Sequence, residues 1–133
     1  MSGELLLAGR LLFGGVLAFL GLNHFLDLEG TAGYAEAKGV PAPRLATAAS
    51  GALLVLGGAG IVLGAYPAVA AAGIAGFLLV ATPRMHDFWN APDEERQAEL
   101  TDFLKNAALL GAALAFLAVG GETWAYAVNA GAL

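Results

Sequence analysis

Charge in this chain is confined to two short stretches. Of its seventeen charged residues, fourteen lie between Asp27 and Arg44 or between Arg84 and Lys105, and only Glu4, Arg10 and Glu122 lie elsewhere. The rest is dominated by Leu, Ala, Val, Ile, Phe and Gly. A helix of a soluble protein carries a polar face along its whole length, and these segments carry none. The two stretches must therefore meet water, while the segments around them suit the core of a bilayer, where an ionised group is expensive. With 59% hydrophobic and 13% charged residues, the chain departs from the roughly 45–50% and 25% of soluble domains in the direction this predicts.

A spanning helix needs about 20 mostly apolar residues. Four segments qualify, at about 5–22, 45–65, 68–89 with a kink at Pro83, and 101–120. The expected fold is all-α: a single-domain integral membrane four-helix bundle spanning residues 1–133. Pro67 suits the first turn of the third helix, after a tight turn at Tyr66. In the first connection, Ala35, Glu36 and Ala37 favour a short interfacial helix, Gly39 suits its carboxyl cap, and Pro41 and Pro43 prevent its continuation. Asp93 to Leu100 reads as polar first turns leading into the fourth helix, with Pro92 and the acidic cluster at its amino terminus. Close backbone packing through small residues must hold helices together in lipid. Gly60-x-x-x-Gly64 and the Gly57/Gly64 stripe are candidate contact faces, either inside the bundle or in a homo-oligomer.

Lys38, Arg44, Arg84, Arg96 and Lys105 all flank the first and third connections. The positive-inside rule places those connections in the cytoplasm and both termini outside a multi-pass protein of the cell membrane. Glu4 and Arg10 interrupt the pattern of a cleavable signal, so the first segment reads as a retained helix. A net charge of −5 argues against nucleic acid as a partner. The absence of cysteine excludes disulfides, thiol redox chemistry and thiolate metal sites within this chain. Any electron transfer then needs a partner or a bound cofactor. The acidic run Asp87, Asp93, Glu94, Glu95, Glu99, Asp102 is either an ordinary solvated face or an adaptation to a high-salt cytoplasm.

Arg10 is the sharpest single signal. An arginine inside a spanning helix faces the protein interior and finds a partner, or extends its head to the interface. Glu122, at the same expected end, is the candidate ion-pair partner. At the other end fall the two histidines, His24 after the first helix and His86 after the third, with Asp87 beside the latter. They are read as proton-handling positions; no histidine repeats at helical ligand spacing, and no metal site is assigned. Tyr34, Phe88 and Trp89 form a candidate aromatic interface, able to stack a flat cofactor or to serve as an aromatic belt. Asn106 is a polar group within an apolar helix and needs a hydrogen-bond partner, from His24 or the region of His86.

Taken in order, these residues resemble the DoxX family of small four-helix membrane proteins. The resemblance rests on Arg10 with Gly14 and Gly21, His24, and Tyr34 followed by Gly39-Val40-Pro41-Ala42-Pro43. It continues through Gly57-Gly58 and Gly64, His86-Asp87-Phe88-Trp89, and Phe103-Leu104-Lys105-Asn106 with Leu110-Gly111. The acidic composition fits a member from a halophilic archaeon. The family takes its name from a subunit linked to thiosulfate:quinone oxidoreductase. The resemblance implies a membrane subunit associated with quinone-linked redox chemistry or redox homeostasis; it assigns no cofactor, and quinone is the candidate. The competing expectation is a non-catalytic anchor or scaffold for a soluble oxidoreductase at the cytoplasmic face. Many relatives carry an acidic residue ahead of the paired glycines. This chain reads Leu53-Leu54-Val55-Leu56 there, and has no carboxylate to serve in that role. Transport ranks below both readings, because none of the four apolar cores holds a carboxylate.

Overall fold

The computed structural model describes residues 1–131. Five α-helices run in chain order: α1 (Ser2–Leu26), α2 (Leu28–Ala37), α3 (Pro43–Leu63), α4 (Pro67–Met85) and α5 (Asp93–Ala118), with one 3-10 turn at Phe88–Asn90. Four of these elements are long and apolar enough to cross a membrane, and α2 is the short helix in the first connection. α1 packs most extensively on α3, which also meets α2 and α4, while α5 lies against α4. α1 and α5 meet through side chains, with the rings of Phe13 and Phe116 5.1 Å apart.

The helix ends follow local chemistry. α3 begins at Pro43, two residues before its expected start, because proline at the first helical position loses no useful donor. It ends at Leu63 because Gly64 turns left-handed at φ 70°. α2 stops where expected, with Gly39 at φ 79° just beyond its last turn. The third spanning segment, Pro67–Asn90, matches its expected bounds of 68–89 to within one residue at each end, but it is not one continuous helix. Pro83 lies within the helix, α4 ends at Met85, and Phe88 and Trp89 belong to a separate 3-10 turn. Proline has no backbone N–H to give the preceding turn, so the helix is weakened close to its end. α5 starts eight residues before the expected 101, absorbing the acidic turns, whose three first-turn carboxylates complement the helix amino terminus.

The α1–α3 interface is built on glycine. A Cβ at Gly14 would lie 2.5 Å from the carbonyl oxygen of Gly58, and one at Gly21 would lie 2.6 Å from that of Gly51. The backbones thus touch where a side chain would hold them apart, the contact lipid-embedded helices rely on. Gly57 and Gly60 face α4 instead, against Ile74 and Ala70, so the small-residue faces of α3 serve contacts within the chain. Leu17, Leu54, Ile61, Ile74 and Leu78 fill the centre. Large apolar side chains, among them Leu12, Phe19, Leu56, Val80 and Leu104, are exposed around the outside. In water that surface would aggregate; against lipid tails it is matched.

Candidate functional site

Two polar centres lie at opposite ends of the molecule. At the end holding both termini, Arg10 is fully buried. Its Nε donates to Ile61 O at 3.1 Å, and one terminal nitrogen donates to Val62 O at 2.6 Å and Tyr126 O at 3.0 Å. The other donates to Ala125 O at 2.7 Å. Ile61 and Val62 belong to the last turn of α3, whose final carbonyls have no partner within the helix. Gly60 O accepts from the Gly64 and Ala65 amides, and Leu63 O accepts from the Val128 amide at 2.7 Å. All four orphan carbonyls of α3 are thereby satisfied, two of them by one guanidinium. The helix carboxyl end also supplies partial negative charge to the cation, and the Trp124 ring lies 5.3 Å away. The expected Arg10–Glu122 pair is replaced by this cage: Glu122 is exposed and is not among the partners of Arg10. Arg10 does not extend to the interface either, because its donors are consumed inside.

At the other end, a cavity of about 440 Å³ opens between the helices. His24 from α1, Asn106 from α5 and His86 just past α4 all line it, among apolar side chains such as Leu53, Phe77, Val80 and Met85. His24 Nδ1 lies 3.2 Å from Thr47 O and 3.1 Å from Ser50 Oγ. A carbonyl only accepts, so the contact with Thr47 O is a hydrogen bond when Nδ1 carries the hydrogen, whereas the Ser50 hydroxyl can either donate to Nδ1 or accept from it. Asn106, expected to bond to a histidine, makes no side-chain hydrogen bond among the described residues. Its amide at the wall of an apolar cavity is unspent.

Behind the cavity, α2 is tied to α5 by charge. Lys38 Nζ lies 2.7 Å from Glu99 Oε2 and 3.0 Å from Asp87 Oδ1, and the Tyr34 hydroxyl donates to Glu99 Oε1 at 3.2 Å. Burial opposes the charged form of Lys38, but hydrogen bonds to Glu99 and Asp87 outweigh it and raise its pKa above the ordinary lysine value. Burial raises the Tyr34 phenol as well, with Lys38 opposing and Glu99 adding to the effect. Beyond Lys38, His86 Nδ1 is shut off from solvent without a hydrogen-bond partner, 3.7 Å from Glu99 Oε1. Phe88, Trp89 and Phe103 stand edge to face, with centroids 5.1–6.1 Å apart. They pack on one another and do not line the cavity.

Of the residues singled out from the sequence, His24, His86 and Asn106 share one cavity. Asp87 and Tyr34 belong to the adjoining Lys38 network, and Arg10 serves the far end. Sequence reasoning missed Lys38 and Glu99 as a part-buried pair, because two charges amid many on water-facing stretches carry no mark of partial burial. It also missed the chain after α5, where Trp124 is buried and Asn129 exchanges two hydrogen bonds with its backbone.

Helices of this length and apolarity, with a ring of exposed hydrocarbon and a cavity at the charged end, define a multi-pass membrane protein. The profile of the DoxX family matches residues 5–87, more than half of the chain, and the chain belongs to that family. The match takes in Arg10, His24 and His86 and stops before α5. No curated protein and no solved structure matches the chain.

Proposed function

We propose that this protein binds a quinone-like molecule in the cavity at its charged end and serves as the membrane subunit of a redox-linked assembly. The observation that carries the reading is the convergence of His24, His86 and Asn106, from three parts of the chain, on one mainly apolar cavity of about 440 Å³, whose other polar lining residues are Thr31, Thr47, Ser50 and Arg84. Ligand cavities of about 300–1,000 Å³ with apolar walls and a few convergent polar groups are the usual form of a small-molecule site. A ring bearing two carbonyl oxygens and an apolar tail fits this chemistry. Asn106 supplies an unused amide donor, the histidines exchange protons, and the tail remains among Leu53, Phe77 and Val80. Reduction of such a ring takes two electrons and two protons. With no cysteine and no cofactor motif in the chain, the electrons come from a soluble oxidoreductase docked at the charged face, and the histidines pass the protons. That face is cytoplasmic by the positive-inside rule, with both termini outside and α2 at the interface.

Calorimetric titration of the protein in lipid nanodiscs with a short-chain quinone tests this. The expected result is saturable binding at one per chain, weakened about tenfold by Asn106→Leu, the loss of one or two hydrogen bonds. Non-saturating partition, equal in wild type and variant, would overturn it. One observation favours the anchor reading instead: Glu94 and Glu95 are exposed in the first turn of α5 without an ion-pair partner among the described residues. An anchor co-purifies with a soluble protein and no quinone, whereas a redox subunit brings both.

A further inference from the structure

The occluded Nδ1 of His86 faces two carboxylates for which the cavity reading has no use. It lies 3.7 Å from Glu99 Oε1 and 3.9 Å from Asp102 Oδ2, and one donor atom from each of the three residues lies within 4.8 Å of the others. These gaps exceed the roughly 2.9 Å of a nitrogen–oxygen hydrogen bond. They suit one ion between the three, since bonds of about 2.0–2.2 Å set neighbouring ligands on a metal roughly 3–4 Å apart. Glu99 and Asp102 stand three residues apart on α5 and so share a face. The His86 amide, bonded to Thr82 O at 2.9 Å, holds the histidine at the end of α4 opposite them.

Charge points the same way. Lys38 is the one cation paired with this group among the described residues, against Asp87 and Glu99, with Asp102 beside them. With His86 neutral, two negative charges remain in excess.

We propose that His86, Glu99 and Asp102 form a binding site for a divalent first-row transition-metal ion, with water completing its coordination. One imidazole and two carboxylates, without thiolate, favour zinc or manganese over copper(I), and the imidazole favours both over calcium and magnesium. Lys38, on the other oxygen of Glu99, orients that ligand as partners of metal-bound carboxylates do. A metal on Nδ1 places the ring proton of a neutral His86 on Nε2, and this ring also borders the cavity. The ion would thereby set the histidine as a donor.

The test is titration of the chelator-stripped full chain in nanodiscs with zinc, followed by calorimetry, and with cobalt(II), followed by its visible absorption. No quinone is present, so the result stands apart from that of the quinone titration. One ion per chain is expected, with affinity lowered at least about tenfold by His86→Asn and by Asp102→Asn. Asp102 is half exposed and outside the Lys38 pairs, so its variant should keep the fold; Glu94→Gln, on the same helix, should bind as wild type. Failure to saturate, equal binding by Asp102→Asn and wild type, or equal affinity for calcium would each overturn the site in favour of a diffuse acidic surface.

Discussion

Arg10 shows how a single residue can be conspicuous in sequence and still be assigned the wrong partner. Its burial follows from its place in an apolar helix, but its partners are backbone carbonyls, which no side-chain pattern reveals. Five donors in a planar fork serve four carbonyls on two segments. Lysine has fewer donors and no fork, so Arg10→Lys should lower stability by about 2–4 kcal/mol, the loss of one or two charged hydrogen bonds. Thermal unfolding in detergent, followed by the fluorescence of buried Trp124, measures this. Glu122→Gln should change the same midpoint by no more than about 0.5 kcal/mol, as an exposed position does. Lys38 makes a prediction of the opposite kind, in pH. Its pKa is raised by folding, so its contribution is fully present below the unfolded value of about 10.4 and is lost as pH climbs through the folded value. Lys38→Met should cost about 1–3 kcal/mol, between the values for exposed and buried pairs. The gap from wild type should stay flat through neutral pH, narrow in strong alkali as Lys38 loses its proton, and narrow in acid as Glu99 and Asp87 gain theirs, read from unfolding midpoints across a pH series.

Among the elements, α1 and α3 depend on backbone contact at Gly14 and Gly21. Gly14→Leu places a side chain where the Gly58 carbonyl now sits and should destabilise by about 1–3 kcal/mol or more, as overpacking does. At Gly15 an added methyl would meet no neighbour within 4 Å, so Gly15→Ala should be neutral or stabilising by up to about 1 kcal/mol through helix propensity. Opposite signs at adjacent residues, measured by the same unfolding assay, separate interface geometry from propensity. Helix ends divide similarly. Gly39 and Pro67 act locally and were legible, whereas Pro43, read as a stop after the short helix, opens α3. The end of α4 was less so, because a proline near a helix terminus is compatible with either a kink or a stop. The early start of α5 was half legible: its acidic turns were read as leading into the helix, but their helical conformation extends it eight residues beyond the apolar run.

For the whole molecule, the two charged stretches adjoin in space. The Tyr34 hydroxyl, which donates to Glu99, also lies 3.3 Å from Met85 O, and Lys38 pairs with Asp87. The opposite end gathers residues from the amino terminus, the Tyr66 turn and the segment after α5, with Tyr66 N donating to Ala130 O at 2.7 Å. Orientation in the membrane is then a single two-way choice. Because the chain has no cysteine, one introduced at Glu36 or Glu94 should react with an impermeant maleimide only from the cytoplasmic side. One at Glu122 should react only from outside, and the reverse pattern in intact cells would invert the topology.

That the chain is helical, how many of its helices can span a bilayer and which connections share a face all follow from the order of its residues. Those properties depend on runs of apolar side chains and on where charge is tolerated, and both are local. Which polar groups meet was settled only by packing. His24 and His86 stand sixty-two positions apart, and nothing in a run of residues states how two helices are rotated against each other. The same rotation gave Glu99 to Lys38 and aimed the free nitrogen of His86 at Asp102. The charged stretches were evident as surfaces from the start; that a cavity lies beneath them depends on packing geometry, which is a property of the assembled helices and of no single one.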